Sequence, residues 1–91
     1  MQFMVIETFR NQDAQAVYRK FRDKGRMMPE GLAFVSSYVA ADLSRCFQLM
    51  ECEDAALFQA WAMHWRGLGA TFEIVPVTKS AETRALFEAS S

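Results

Sequence analysis

The chain has 91 residues, 52% of them hydrophobic and 23% charged, with a formal net charge of −1. This length predicts a single domain over residues 1–91, and the near-neutral charge argues against nucleic acid as a partner. No apolar run approaches the roughly 20 residues that span a bilayer, and the first residues lack the features of a signal peptide, so we expect a cytoplasmic protein without a membrane partner.

The first half of the chain predicts a strand and then a helix. Residues 2–9, QFMVIETF, are rich in β-branched and aromatic residues, as strands are. Asp13 is a suitable N-cap, and apolar residues at three- and four-residue spacing then predict a helix to about Gly25 or Met28. Pro29 and Gly31 end that helix.

The second half predicts a hairpin, a helix, a strand and a short helix. Residues 32–41 and 45–52 form two strands with a short connection, which is typical of a hairpin. Asp54 caps the second helix, whose apolar stripe includes Trp61 and Trp65. Residues 71–78 form the fourth strand, and Pro76 places it at a sheet edge because proline has no N–H to donate. A short C-terminal helix follows, with Ser80 as its predicted cap.

The element order predicts an α+β, ferredoxin-like βαββαβ fold with a four-stranded antiparallel sheet. Its strand order is fourth, first, third, second, with the two long helices on one face. The register that pairs Val5 with Phe47, Phe3 with Leu49 and Glu7 with Arg45 gives an apolar face with an ion pair at its rim. We assign the helices to that face.

The other face of this sheet then has no cover of its own. An exposed apolar patch of this size marks an interface, and a second copy is its simplest cover, which gives a closed homodimer. The predicted interface residues are Met4, Ile6, Phe34 and Met50.

Polar groups on the same face indicate a cavity between the sheet and its partner that binds a small apolar molecule. The predicted ligand contacts are Thr8, Ser36, Tyr38 and Gln48. In the alternative interpretation, these groups satisfy one another in a packed dimer interface.

Two residues are candidates for acid–base catalysis. Glu7 lies on a central strand among apolar neighbours, where burial would raise its pKa, although a pair with Arg45 would make it structural. His64 has a suitable ordinary pKa but no assigned carboxylate partner. The only cysteines, Cys46 and Cys52, lie on one predicted strand about 20 Å apart, too far for a disulfide. We expect no metal site and no cofactor.

Several segments, taken together, resemble a small bacterial family known only as a domain of unknown function. These are FMVIE near the start, PEG after the first helix, RCFQLME leading into DAALF, and FEIVPV near the end. The resemblance covers roughly residues 2–80 and implies membership of the ferredoxin-like, dimeric α/β-barrel group, in which the sheets of two chains form a barrel. Relatives in that group include cofactor-independent monooxygenases, muconolactone isomerases and haem-degrading enzymes, but no motif here carries their chemistry across.

Three functions remain open from the sequence. The first is a homodimeric module that binds a small apolar molecule, and the second is a cofactor-independent monooxygenase or isomerase that uses the same cavity. The third is a structural or partner-binding dimer with a filled interface. A cavity lined by Tyr38 and Gln48 would favour the first two, whereas a dry, fully packed interface would support the third. Between the first two, Glu7 with a proton-accepting neighbour at the cavity would favour an enzyme.

Overall fold

The computed structural model describes residues 1–9 and 14–90. The predicted cap at Asp13 lies outside these residues. The elements in chain order are β1 (Gln2–Phe9), α1 (Gln15–Lys24), β2 (Ala33–Val39), β3 (Arg45–Glu51), α2 (Ala56–Trp65), β4 (Ala70–Val77) and α3 (Ser80–Ser90). The fold is therefore α+β, with one sheet and three helices.

The four strands form one antiparallel sheet in the order β2-β3-β1-β4. Read from the other edge, this order is fourth, first, third, second. The edge position of β4 accords with Pro76, which has no N–H for a ladder on either side. β2 and β3 form a hairpin, whose turn is closed by a hydrogen bond from the Leu43 N–H to the Ala40 carbonyl (N···O 2.8 Å).

The predicted register of β1 against β3 is wrong by one residue. Val5 lies opposite Gln48, Phe3 opposite Met50 and Glu7 opposite Cys46. A one-residue slip moves every side chain of a strand to the other face of the sheet. The sequence does not decide between these two registers, because β3 carries large apolar side chains on both faces.

The two long helices cover the face that carries Phe3, Val5, Glu7 and Phe9 of β1, here called the covered face. The ring centroids of Phe3 and Phe58 lie 4.9 Å apart, which places α2 on this face. A ring contact of Phe9 with Tyr18, at 6.4 Å, places α1 there as well. The assignment of Phe3 and Val5 to the covered face is confirmed.

The assignment of Phe47 and Leu49 to the covered face is wrong, because both project from the opposite face, here called the outer face. The residues of β3 on the covered face are instead Cys46, Gln48 and Met50, all of them buried. The outer face has a partly exposed apolar centre, formed by Met4, Ile6, Phe47, Leu49 and Val75.

A β-bulge in β2 changes which of its residues share a face. Phe34 lies opposite Met50, but Ser36 lies opposite Leu49, so Val35 is an extra residue between two register positions. Phe34 therefore belongs to the covered face, whereas Ser36 belongs to the outer face. The prediction that both share one face is wrong for this reason.

The connection from α1 to β2 is fixed by α2. The carbonyl oxygen of Arg26 accepts hydrogen bonds from the indole N–H groups of Trp61 (3.0 Å) and Trp65 (3.2 Å). Lys20 of α1 also donates from its ammonium group to the carbonyl of His64. These bonds tie both the first helix and the following loop to the same end of α2.

The C-terminal helix α3 is exposed along its whole length. Leu86 and Phe87 have 70% and 74% of their surfaces exposed, and no residue of α3 is buried. Among the described residues, no helix combines the length and apolar character needed to cross a membrane.

Candidate functional site

A cavity of about 100 Å³ lies between the covered face of the sheet and the two long helices. Aromatic side chains dominate its walls, and a few polar groups converge on it, as in sites for small molecules. Its lining residues are Glu7, Phe9, Val17, Tyr18, Phe21, Arg26, Ser37, Cys46, Gln48, Trp61 and Trp65.

Helical and strand periodicity explain why these residues meet. Val17 and Phe21 of α1, and Trp61 and Trp65 of α2, are each four positions apart, so each pair faces the sheet from one side of its helix. The strands supply alternate residues, because side chains two apart along a strand share a face. The helices thus provide the apolar walls, and the sheet provides most of the polar groups.

Glu7 is the one carboxylate among the described residues that line the cavity. It is 4% exposed, and no described residue forms a hydrogen bond or ion pair with its carboxyl group. Burial raises the pKa of Glu7 from 4.5 to about 7, because an apolar environment disfavours the charged form. At neutral pH this carboxyl group can therefore either give or take a proton.

The predicted pair of Glu7 with Arg45 does not form, because the two side chains lie on opposite faces of the sheet. Arg45 lies opposite Thr8, and its guanidinium carbon is 5.1 Å from the ring centroid of Phe47. The structural explanation for Glu7 that the sequence suggested is therefore wrong.

Two other groups that can ionise face the same cavity. Burial raises the pKa of Tyr18, and the nearby Cys46 and Glu7 raise it further. Burial also raises the pKa of the Cys46 thiol, although a contact with the Ser37 hydroxyl (Sγ···Oγ 3.5 Å) acts in the opposite direction. Both groups therefore keep their protons near neutral pH, and Tyr18 offers an O–H donor close to Glu7.

Arg26 places a positive charge beside the cavity. Its guanidinium carbon lies 3.7 Å from the ring centroid of Phe34 and 4.9 Å from that of Phe21. Stacking on two rings stabilises a guanidinium group by cation–π attraction. Arg26 also lines the cavity, and its positive charge acts to lower the pKa of Cys46.

The family model described as "Domain of unknown function (DUF3303)" matches residues 1–91. The chain belongs to this family. No curated protein and no solved structure matches the chain.

The structure of this DUF3303 domain separates the four predicted ligand contacts. Gln48 lines the cavity and is 7% exposed. Thr8, Ser36 and Tyr38 lie at register positions of the outer face, and Tyr38 is 65% exposed. The sheet therefore lies between these three residues and the cavity.

The four predicted interface residues of the DUF3303 domain do not share one face of the sheet. Met4 and Ile6 lie on the outer face, whereas Met50 is fully buried on the covered face. Phe34 lies on the covered face, against Arg26. The side chain of His64 is exposed on α2 and does not line the cavity.

Four aromatic residues of the site were interpreted from the sequence as core packing only. Tyr18, Phe21, Trp61 and Trp65 do lie on the apolar stripes of their helices, as predicted. The available signal was the tyrosine within the α1 stripe, since a tyrosine combines an apolar ring with a hydroxyl that can bind a polar group. Tyr18 is half-exposed, so it lies at the rim of the cavity rather than in the core. Cys46 and Cys52 are buried free thiols, and no three potential metal ligands come together within residues 1–9 and 14–90.

Proposed function

We propose that this protein binds a small, mainly apolar molecule in the cavity between its helices and its sheet. The observation that carries this proposal is Glu7, a buried carboxyl group that faces an aromatic cavity and has no hydrogen-bond partner among the described residues. A ligand with one polar group would supply that partner.

The energetic cost of burying the Glu7 carboxyl group supports a role in ligand binding rather than in core packing. A carboxyl group that is largely removed from water without a protein partner loses part of its hydration, which lowers the stability of the fold. An apolar side chain at position 7 would avoid that cost, so a carboxyl group there is more readily explained by a role in binding. An engineered apolar cavity of about 150 Å³ accepts benzene, which gives the scale. The volume here, about 100 Å³, fits a molecule slightly smaller than that.

The proposed site differs in place from the one that the sequence suggested. The sequence favoured a cavity between the sheet and a partner, lined by Tyr38 and Gln48. The proposal now uses only Gln48 of that pair, together with Glu7 and the helical aromatic residues. The binding site is therefore contained within one chain.

Binding of cyclopentanol and cyclopentanone, followed by saturation-transfer NMR and by the melting temperature, tests this proposal. We expect both probes to bind the wild-type protein and to raise its melting temperature. Ser37→Leu extends a side chain into the cavity and should abolish binding. Ser36→Leu makes the same change on the outer face and should leave binding intact. Equal binding by the two variants, or no binding by the wild-type protein, would contradict the proposal.

We also propose that the fold is ferredoxin-like and that two copies associate through their outer faces as a dimeric α/β barrel. The apolar centre of the outer face supports this, since Met4, Ile6, Phe47, Leu49 and Val75 are all partly exposed. Each large apolar side chain gains roughly 1.5–3 kcal/mol on full burial. A second copy would cover this surface with the same surface of its own.

A further inference from the structure

We propose that Glu7 transfers a proton to and from a carbon atom of a small carbonyl compound in the cavity, while the Tyr18 hydroxyl binds the carbonyl oxygen. This inference rests on the proposed function, because it requires that the cavity admit a ligand. It adds a substrate class and a reaction to that function.

The proposed step needs no oxidant, reductant or second substrate. The ionised Glu7 carboxylate removes a proton from the carbon next to the carbonyl group, and the C–H electron pair forms the carbon–carbon double bond of an enolate. The carbonyl π electrons move to oxygen, where the Tyr18 O–H donates a hydrogen bond to the negative charge. The protonated Glu7 then returns a proton, either to the same carbon or to a conjugated one, and the carboxylate is restored. In D₂O the carboxyl proton exchanges with solvent before this return, so a deuteron reaches the carbon.

The position of Glu7 suits a general base. It lies on β1 between Cys46 of β3 and Phe72 of β4, so both neighbouring strands hold its backbone. It is 96% buried among aromatic walls, and the small exposed part of the residue lets its carboxyl proton exchange with solvent. A pKa of about 7 matches the proton affinity that acid–base catalysis requires near neutral pH.

Tyr18 is a hydroxyl donor at the cavity, and no described residue forms a hydrogen bond with its side chain. The indole N–H groups of Trp61 and Trp65 are occupied by the Arg26 carbonyl, and the Cys46 thiol contacts Ser37. The hydroxyl of Tyr18 lies close enough to Glu7 for the carboxylate charge to affect it, and it keeps its proton at neutral pH.

The charge of Arg26 favours a carbonyl compound over an amine. A cationic ligand would pair with Glu7 but would also meet the guanidinium group at the cavity wall. An enolate, by contrast, develops negative charge that a nearby guanidinium stabilises. A neutral ligand that becomes transiently anionic fits both charged residues.

Exchange of the α-hydrogens of cyclopentanone for deuterium, followed by proton NMR in D₂O, tests the proposal. We expect the wild-type protein to accelerate exchange and Glu7→Gln to lower kcat/KM by about 100-fold or more. Tyr18→Phe should lower it by about tenfold, and the dissociation constant of cyclopentanone should change less than threefold in either variant. In the wild-type protein alone, kcat/KM should rise with pH through about 7, as Glu7 ionises.

Two control variants make the result specific. Glu73→Gln removes a carboxylate from β4 on the outer face and should leave exchange unchanged. Glu7→Asp keeps the carboxylate but withdraws it by one methylene, so about tenfold slower exchange is expected even if Glu7→Gln does not fold.

The two proposals fail in different ways. If cyclopentanone binds but the wild-type protein exchanges it no faster than Glu7→Gln or Glu7→Asp, the proton-transfer proposal is overturned and the binding proposal stands. If cyclopentanol binds in the cavity but cyclopentanone does not, only the proton-transfer proposal is overturned. If neither probe binds, both proposals are overturned.

Discussion

Glu7 connects the stability of the protein to the chemistry of its cavity. The same burial that leaves the carboxyl group without a described partner also raises its proton affinity. Tyr18 and Cys46 face it with pKa values raised above their ordinary ones, and Arg26 faces it as a guanidinium cation. Among these residues, Glu7 is therefore the group that changes charge between mildly acidic and neutral pH.

Stability should fall as pH rises from about 4.5 to 7. The unfolded chain loses the Glu7 proton near 4.5, whereas the folded protein keeps it until about 7. Over this interval the folded state binds more protons, so increasing pH favours unfolding. The expected loss in the free energy of unfolding is on the order of 3 kcal/mol, from about 1.4 kcal/mol per pKa unit. Urea denaturation at several pH values measures it.

Comparison of variants isolates this effect of Glu7. In Glu7→Gln the pH-dependent loss should disappear, because glutamine does not ionise. Glu73→Gln, on the outer face, should retain it. The same pH dependence in Glu7→Gln and the wild-type protein would contradict the assignment.

The β2–β3 hairpin contains a residue in an unfavourable backbone conformation. Leu43 has φ of 65°, in the left-handed region, and is 61% exposed. The left-handed conformation costs an L-residue about 1–2 kcal/mol, whereas glycine adopts it freely. Because the side chain is mostly exposed, little packing opposes a change at this position.

Leu43→Gly should raise the free energy of unfolding by about 0.5–1 kcal/mol, because it removes most of that backbone cost. Leu43→Val should lower it, since a β-branched residue is least tolerant of positive φ. Chemical denaturation of the two variants beside the wild-type protein measures both changes. A loss of stability in the glycine variant would show that the leucine side chain contributes more than its backbone costs.

At the level of elements, the order and type of the strands and helices followed from periodicity and from Gly and Pro positions. The register of β3 did not, because Cys46 and Met50 on one face and Phe47 and Leu49 on the other are similarly apolar. Pairing Glu7 with Arg45 then chose the wrong register, as a surface ion pair is a weak constraint. The bulge at Val35 could not be predicted either, since one extra residue in a short strand does not change its sequence pattern clearly.

In the whole molecule, two apolar surfaces remain exposed: the outer face of the sheet and the helix α3. A homodimer through the outer face should be disrupted by Ile6→Glu, because Ile6 lies opposite Phe47 near the centre of that face. The variant places a carboxylate among apolar groups and should weaken association by at least 100-fold, about 2.7 kcal/mol. Sedimentation equilibrium of the wild-type and variant proteins measures the change.

Met63→Glu is the matched control for this prediction. Met63 is 57% exposed on α2, away from the outer face, so this variant should associate as the wild-type protein does. A wild-type protein that sediments as a monomer, or equal weakening by both variants, would contradict association through this face.

Only part of the cavity could be predicted from the sequence. Glu7 was singled out as a carboxylate on a central strand among apolar neighbours, and Gln48 as one of the polar groups on the face that was predicted to lie away from the helices. The sequence could not show that they share a face with each other and with Trp61 and Trp65. That depends on the register and on which face the helices cover, which are properties of the assembled chain.

The edges of the sheet have a consequence for behaviour at high concentration. Along β4, Pro76 interrupts the row of donors that an incoming strand would need, and along β2 the bulge at Val35 disturbs the spacing of the backbone groups. Such interruptions hinder the strand-by-strand templating that leads to fibrils. The outer face of the sheet can thus remain partly apolar while the two sheet edges resist the addition of further chains that would build a fibril.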